Sequence, residues 1–259
     1  MPVFAFDIET IPDVELGRRV HGLDGLSDKE VGYVMQAKRR EATGSEFLSY
    51  EQQRVVAISV ALRAGDSFKV WSLGDAQSSE AEIIGRFFDG IDKYTPDLIS
   101  WNGGGFDLPV LHYRAMRHGI QAPRYWEAGN EDQAFRFNNY LNRYHTRHLD
   151  LMDVLSSYQS RARVSLQAAA MLLGLPGKLG MSGDKVWDAY LAGDIEIIRN
   201  YCETDVLNTF LIYLRFELMR GMLNRDEYHA ECERVRSALR AQPKPHLDEF
   251  LAAWTEQQI

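Results

Sequence analysis

Three groups of carboxylates carry the chemistry in this sequence. Asp7 and Glu9 stand two apart in a run of Phe, Val and Ile, and residues two apart on a strand project from one face. Two such acids repel each other unless a positive charge sits between them, and a divalent cation with oxygen ligands is the natural counter-charge. A bare D-x-E is equally what two solvated acids at a strand end look like. Asp205 follows Tyr201 by four residues, which stacks the pair on one helix face. Ile197, Ile198, Asn208 and Thr209 share that side, so it meets the core while carrying an acid, and a buried Asp is costly unless paired or metal-bound. A salt bridge from Arg199 is the alternative. Asp107 closes the run Trp-Asn-Gly-Gly-Gly-Phe-Asp at a strand-to-helix junction, where capping alone favours an acid. Its three glycines let a chain or a ligand approach closely. No Gly-Lys-Ser/Thr follows, and Leu108 takes the last glycine position of G-x-G-x-x-G, so the run is not a nucleotide-triphosphate cradle.

These residues need elements to hold them. Residues 1–8 read as a short buried strand, and residues 11–53 as polar and helical, with Ser27 to Glu30 forming a capping box for a helix to about Arg40. Strands are expected at 54–64 and 67–73, joined by a turn at Gly65-Asp66. A helix from Ser79 to about Lys93, a strand at 97–101 and a helix from Asp107 to His118 follow. Residues 121–146 are aromatic and aperiodic, a long loop or lid. A short apolar element at 148–155 precedes a helix that Ser165 opens and Gly174 closes. After the glycine-bearing loop 174–183 and a short helix, Asp194 caps the longest helix, 195–220, and a charged helical tail begins at Asn224. This order gives a mixed α/β fold around one sheet. It divides into a domain at 1–222 and a helical C-terminal tail at 223–259.

The chain has 259 residues, 45% hydrophobic and 25% charged, which excludes disordered and collagen-like classes. No apolar run reaches the ~20 residues that cross a bilayer, and MPVFAFDIET lacks a signal peptide's basic and apolar regions. Cys202 and Cys232 are too few for a disulfide framework. The expected location is the cytoplasm. With 37 acids against 29 Lys and Arg, net charge −8, the chain is no sequence-blind coat for duplex DNA, since such proteins are basic. An enzyme gripping one strand end, with bound cations supplying positive charge, fits that balance.

FDIET at 6–10, N-G-G-G-F-D at 102–107 and Y-C-E-T-D at 201–205, in this order, resemble the motifs of the DEDD superfamily of 3′–5′ exonucleases, of ribonuclease H-like fold. The sequence is most similar to the branch related to the exonuclease domain of family B DNA polymerases. The tyrosine four residues before the last aspartate marks the DEDDy subgroup. The resemblance implies a ribonuclease H-like mixed β-sheet flanked by α-helices, here with a helical C-terminal extension. It implies that Asp7, Glu9, Asp107 and Asp205 hold two divalent cations, Mg²⁺ or Mn²⁺. Asp7 would bridge both, Glu9 and Asp205 would complete the ion that binds the attacking water, and Asp107 would act through waters on the second. Two ions ~3.5–4 Å apart stabilise both the entering and the leaving oxygen of an in-line displacement. Tyr201 would orient the water. Thr10, Ile11, Asn102 and Phe106 would line the substrate cleft, Phe106 stacking on a base or serving as a core aromatic. The implied substrate is the 3′ end of single-stranded nucleic acid, DNA rather than RNA, and the implied role DNA repair. No polymerase domain follows within the chain.

Other residues offer weaker candidates. His145 and His148 are spaced as ligands without a third partner, and Asp150 and Asp153 stand near enough in sequence to add a carboxylate. Lys178, Lys185 and Arg124 are candidates for phosphate contacts. Tyr125, Trp126, Phe135, Phe137 and Tyr140 form either a stacking platform or a pin for the long loop. The rival readings are a 3′–5′ exoribonuclease with the same residues and a non-catalytic nucleic-acid-binding module on the same fold.

Overall fold

The computed structural model describes residues 2–255. In chain order its elements are β1 (Val3–Pro12), α1 (Val14–His21), α2 (Asp28–Thr43), β2 (Gln53–Ala64), β3 (Ser67–Ser72), α3 (Glu80–Tyr94), β4 (Asp97–Ser100), α4 (Asp107–His118), β5 (His148–Asp150) and α5 (Leu151–Leu155). Then follow α6 (Leu166–Leu172), α7 (Val186–Ala192), α8 (Ile195–Met219), α9 (Arg225–Arg240) and α10 (Pro245–Ala253). The five strands form one sheet in the order β3-β2-β1-β4-β5. β1 pairs antiparallel with β2 and parallel with β4, and β4 pairs parallel with β5. This is the α/β, ribonuclease H-like sheet flanked by helices that the motifs imply, followed by C-terminal helices. Among the described residues no helix is long and apolar enough to cross a membrane.

Local sequence accounts for most boundaries. Ser27 and Glu30 close a reciprocal capping box at the start of α2, and Ser79 caps α3 by accepting from the Glu82 N–H. Three expectations need correction. β1 runs to Pro12 rather than stopping at Ile8, because Thr10 to Pro12 continue the ladder on β2. The following segment is two helices rather than one, the first capped by the Asp13 side chain. Asp194 takes the N-cap position of α8 but its side chain caps nothing there.

The sheet's two faces bury different sets. Phe4, Phe6 and Ile8 of β1 join Ile84, Phe87 and Leu111 from α3 and α4 in one cluster. Ala5 packs with Phe210, Leu211 and Leu214 of α8, and Tyr228, Val235, Leu247 and Phe250 of α9 and α10 extend that same cluster. The C-terminal helices thus share apolar packing with α8. They are also clamped to it electrostatically. Buried Glu203 accepts from Lys244 at 2.9 Å, from His246 at 2.8 Å and from the Ser72 N–H at 2.9 Å. Burial alone would raise its carboxyl, but hydrogen bonds from His246 and Lys244 outweigh that and hold it down at about 2.

Two histidines are kept neutral inside this fold. His148 meets Ser100 Oγ at 2.8 Å and His112 meets the Tyr125 hydroxyl at 2.9 Å. Burial pushes both imidazoles down to about 4, with Asp153 opposing it at His148. An unfolded histidine titrates near ~6.5. Their contribution is therefore fully present above about 6.5 and is lost as pH falls towards 4, because only the unfolded chain takes up those protons. Urea denaturation at stepped pH should show wild type losing on the order of 2–4 kcal/mol relative to the His112→Gln/His148→Gln double variant between pH ~7 and ~4. Contributions from carboxylates common to both chains cancel in that difference. Equal pH profiles for the two would refute the assignment.

Candidate active site

The alternation of β1 aims its acids. Even-numbered Phe4, Phe6 and Ile8 face α3 and α4, while Ala5 and Ile11 face α7 and α8. Asp7 and Glu9 lie between the latter two in phase, so they project towards α8. A register shift on the β1–β2 ladder falls between Glu9 and Thr10, ending the regular pairing at the second acid. Carboxylate oxygens of Asp7 and Glu9 and the Sγ of Cys202 all lie within 4.8 Å of one another. The Cys202 thiol donates to the Asp7 carbonyl at 3.3 Å and stands 3.6 Å from its Oδ2.

α8 supplies the opposing wall. Tyr201 and Asp205 are one turn apart on it, both buried, and the tyrosine hydroxyl hydrogen-bonds the Asp205 carboxylate. The other oxygen, Asp205 Oδ1, is buried without a hydrogen-bond partner among the described residues. Arg199 does not pair with it. Its guanidinium spans the carbonyls of Ser72, Leu73 and Gly74 instead. Ile197 is also off this face, half of its surface being exposed.

Asp107 arrives from the first turn of α4, where its Oδ1 accepts the Ile8 N–H at 3.2 Å. That bond brings the carboxylate to the middle of β1. The turn before it is tight. Asn102 is left-handed at φ 67°, and the N–H groups of Gly105 and Phe106 both return to its carbonyl at 2.9 Å. A Cβ at Gly103 would collide with Ser100, and one at Gly105 with Asn102. Those two glycines thus make room for their own turn.

Crowding and burial hold these acids towards their neutral forms. Burial raises Asp7 well above the ordinary carboxylate range, reinforced by Asp107, Glu9 and Asp205. Burial and Asp205 raise Glu9, with Lys178 opposing. Asp107 is pushed up to about 7 by burial. Asp205 rises to about 6 by burial, countered by Tyr201 and Lys178. Burial and the neighbouring acids also push the Tyr201 hydroxyl upward, so it remains a neutral donor. A set of hard oxygen donors in mutual repulsion, one of them orphaned, is what a divalent cation satisfies. Asp7 and Glu9, whose carboxylate oxygens lie within 4.8 Å of each other, fit such an ion.

A cleft of about 580 Å³ opens beside the cluster, lined by Glu9, Thr10, Phe47, Gln53, Phe106 and Lys178 among others. Thr10 bonds Gln53 through its hydroxyl at 2.9 Å. Phe106 is a wall residue, its ring 5.1 Å from Phe47 and 6.3 Å from Tyr50. The structure does not bring Ile11 or Asn102 to this wall in the way expected. Ile11 is 2% exposed, covered by Trp187 and Tyr201, because two residues beyond Glu9 the same face runs under α7 and α8. Asn102 serves the turn. Lys178 does reach the site, its Nζ 5.4 Å from the centre of the Tyr201 ring. Buried Asn208, one turn after Asp205, holds its loop by exchanging bonds with Gly177 at 3.1 and 2.9 Å.

The remaining candidates separate cleanly. Tyr125, Phe135 and Tyr140 are buried and pin the long loop, whereas Trp126 and Phe137 are exposed. Arg124 pairs with Asp132 at 2.9 Å and covers Phe135. Lys185 is exposed at the entry to α7. His145 accepts from the Asn139 N–H, apart from His148 and its Ser100 partner. Asp150 accepts the N–H groups of Asn102 and Gly104, both at 2.9 Å, and so braces the Asp107 turn. Asp153 pairs with Arg143 and Arg163. Sequence reasoning passed over Phe47, Tyr50 and Gln53, which sit in an aperiodic polar segment. Cys202, read only as one of two cysteines too few for a disulfide framework, gave no sign of its place beside Asp7.

A sequence family described as a predicted 3′–5′ exonuclease related to the exonuclease domain of PolB matches residues 45–254. Asp7 and Glu9 lie ahead of the matched segment. The chain is 26% identical over 171 residues to a DNA polymerase of Archaeoglobus fulgidus, covering 65% of this chain and 21% of the polymerase. It is 28% identical over 182 residues to a DNA polymerase of Pyrococcus glycovorans, covering 66% and 23% respectively. A 42-residue stretch is 43% identical to DNA polymerase 1 of Saccharolobus solfataricus, or 16% of this chain and 5% of that one. The chain thus spans about a fifth of the length of the Archaeoglobus and Pyrococcus polymerases.

Proposed function

This chain belongs to the family of predicted 3′–5′ exonucleases related to the exonuclease domain of PolB, and from that premise we propose that it removes nucleotides from the 3′ end of single-stranded DNA with the aid of divalent cations. The observation that carries the reading is Asp205 Oδ1, buried and without a hydrogen-bond partner among the described residues, together with the crowded carboxylates of Asp7 and Glu9. Asp7, Glu9, Asp107 and Asp205 would hold Mg²⁺ or Mn²⁺. Ions bound there supply Lewis acidity for in-line phosphoryl displacement.

The chain's own groups do the rest. Tyr201, neutral and hydrogen-bonded to Asp205, orients the water that attacks phosphorus. The new P–O bond forms as the bond to the leaving 3′-oxygen breaks. That oxygen takes up a proton, leaving a nucleoside 5′-monophosphate and a strand shortened by one. Lys178 offsets the carboxylates' charge on the cleft side, where a phosphate approaches. Phe106, Phe47 and Thr10 line the wall against the terminal nucleoside.

The test is digestion of 5′-labelled single-stranded, 3′-overhang and blunt DNA, with matched RNA, in Mg²⁺, Mn²⁺ or EDTA. A ladder shrinking from the 3′ end, present with metal and absent in EDTA, is expected on DNA. Digestion of RNA alone would move the substrate to RNA. No product on either, with binding intact, would leave a nucleic-acid-binding module.

A further inference from the structure

The segment whose Asp150 braces the Asp107 turn is locally basic, against the acidic balance of the chain as a whole. Between Phe135 and Ser165 there are five arginines against two aspartates. Asp150 receives the Asn102 and Gly104 N–H groups and also caps α5 through the Met152 N–H. Three residues on, Asp153 holds two guanidinium groups, Arg143 at 2.6 Å and Arg163 at 2.5 Å. One turn of helix therefore joins the turn that carries Asp107 to an arginine pair.

Aromatic rings flank Arg143. Tyr144 and Tyr158 meet edge to face at 4.9 Å, with Arg143 5.8 Å from the first ring centre and 5.0 Å from the second. Tyr144 is 67% exposed. Ser157 and Tyr158 are consecutive left-handed residues at φ 51° and 60°, an arrangement that costs non-glycine residues free energy. The chain bears it to return the Tyr158 N–H to the Asp153 carbonyl at 2.7 Å, which seats the ring against Arg143. Rings interleaved with guanidinium groups suit a single-stranded nucleic acid, since bases stack on the rings and phosphates meet the cations.

We infer that the strand leaving the acid cluster on its 5′ side passes over Gly104 and lies across Tyr144 and Tyr158, its phosphates facing Arg143 and Arg163. The inference rests on the proposed function but has its own readout. Binding of fluorescent oligothymidylate and oligouridylate, each about 10 nucleotides, within the span of one small binding fold, is measured by anisotropy in EDTA. Hydrolysis of the p-nitrophenyl ester of thymidine 5′-monophosphate is followed separately in Mn²⁺. That ester occupies the acid cluster and is too short to reach the platform.

Tyr144→Ala is expected to weaken oligomer binding about tenfold, the loss of one stacked base, while hydrolysing the ester at the wild-type rate. Tyr144→Phe should bind as wild type. Loss with both oligomers indicates a platform indifferent to the sugar, and loss with one alone assigns it to DNA or RNA. Wild-type binding of both oligomers by Tyr144→Ala overturns the inference, whatever the ester shows. An inert ester with oligomer binding still sensitive to Tyr144 would instead count against the proposed reaction.

Discussion

Asp205→Asn is expected to lower the rate of 3′-end hydrolysis by on the order of 10³-fold or more while leaving the apo protein as stable as wild type, or more stable. Both halves come from the same geometry. The carboxylate hydrogen-bonds Tyr201, and its Oδ1 is buried without a partner among the described residues. Burial and neighbouring acids already push the cluster towards protonation, so removing one charge relieves repulsion in EDTA. The amide keeps the shape but lacks the charge that a cation needs, and losing a single preorganised electrostatic group costs about 10²–10³ in rate even without a metal. Thermal melting separates the effects. Saturating Mn²⁺, at ~100 times its Kd, should stabilise wild type by about 2.7 kcal/mol and Asp205→Asn far less. A variant that melts below wild type in EDTA, or gains equally from Mn²⁺, would contradict the account.

Arg114→Met is expected to be the most destabilising single change considered, by about 3–5 kcal/mol. Arg114 is 2% exposed on α4. It bonds Asp13 at 2.5 Å at the end of β1, and Glu80 at 2.7 and 2.5 Å at the start of α3. Glu80 also accepts the Val55 N–H of β2 at 2.7 Å. One guanidinium thus locks four elements, and methionine would strand two buried carboxylates. Total stabilities of ~5–15 kcal/mol leave little margin for that loss. The urea midpoint should fall with an unchanged slope. Because the lock sets α4 against β1, activity of the folded fraction should fall as well. A shift under about 1 kcal/mol would mean that His118, 2.8 Å from Glu80, and water take over the pairing.

Local patterns made the acids legible and long-range contacts hid much of their surroundings. The face shared by Asp7 and Glu9 follows from strand alternation, and the Tyr201–Asp205 stack from helical spacing. The caps at Ser27 and Ser79 are written in four residues each. No such rule places Lys178. It reaches Tyr201 because Asn208, thirty-one residues after Gly177, holds the loop. Phe47 and Tyr50 meet Phe106 across more than fifty residues, so an aperiodic stretch gave no sign of them. Ile11 illustrates the reverse error. The family resemblance implied a place in the cleft, but what covers a strand face is decided by helices far along the chain. Arg114 likewise looks like any arginine on an amphipathic helix until the ends of β1 and α3 are brought to it.

Asp7 and Cys202 touch across 195 residues, and that separation has a consequence for a chain leaving the ribosome. By the time β5 has emerged, all five strands and three of the four acids have been synthesised, with α8 still to come. A nascent chain at that length presents Asp7 and Glu9 on an uncovered sheet face, without Asp205 or Tyr201. Whatever reactivity the acids confer is therefore not acquired gradually. The set is complete only with α8 against the sheet, and local unfolding that released α8 would part Tyr201 and Asp205 from Asp7 and Glu9 with the strands still paired.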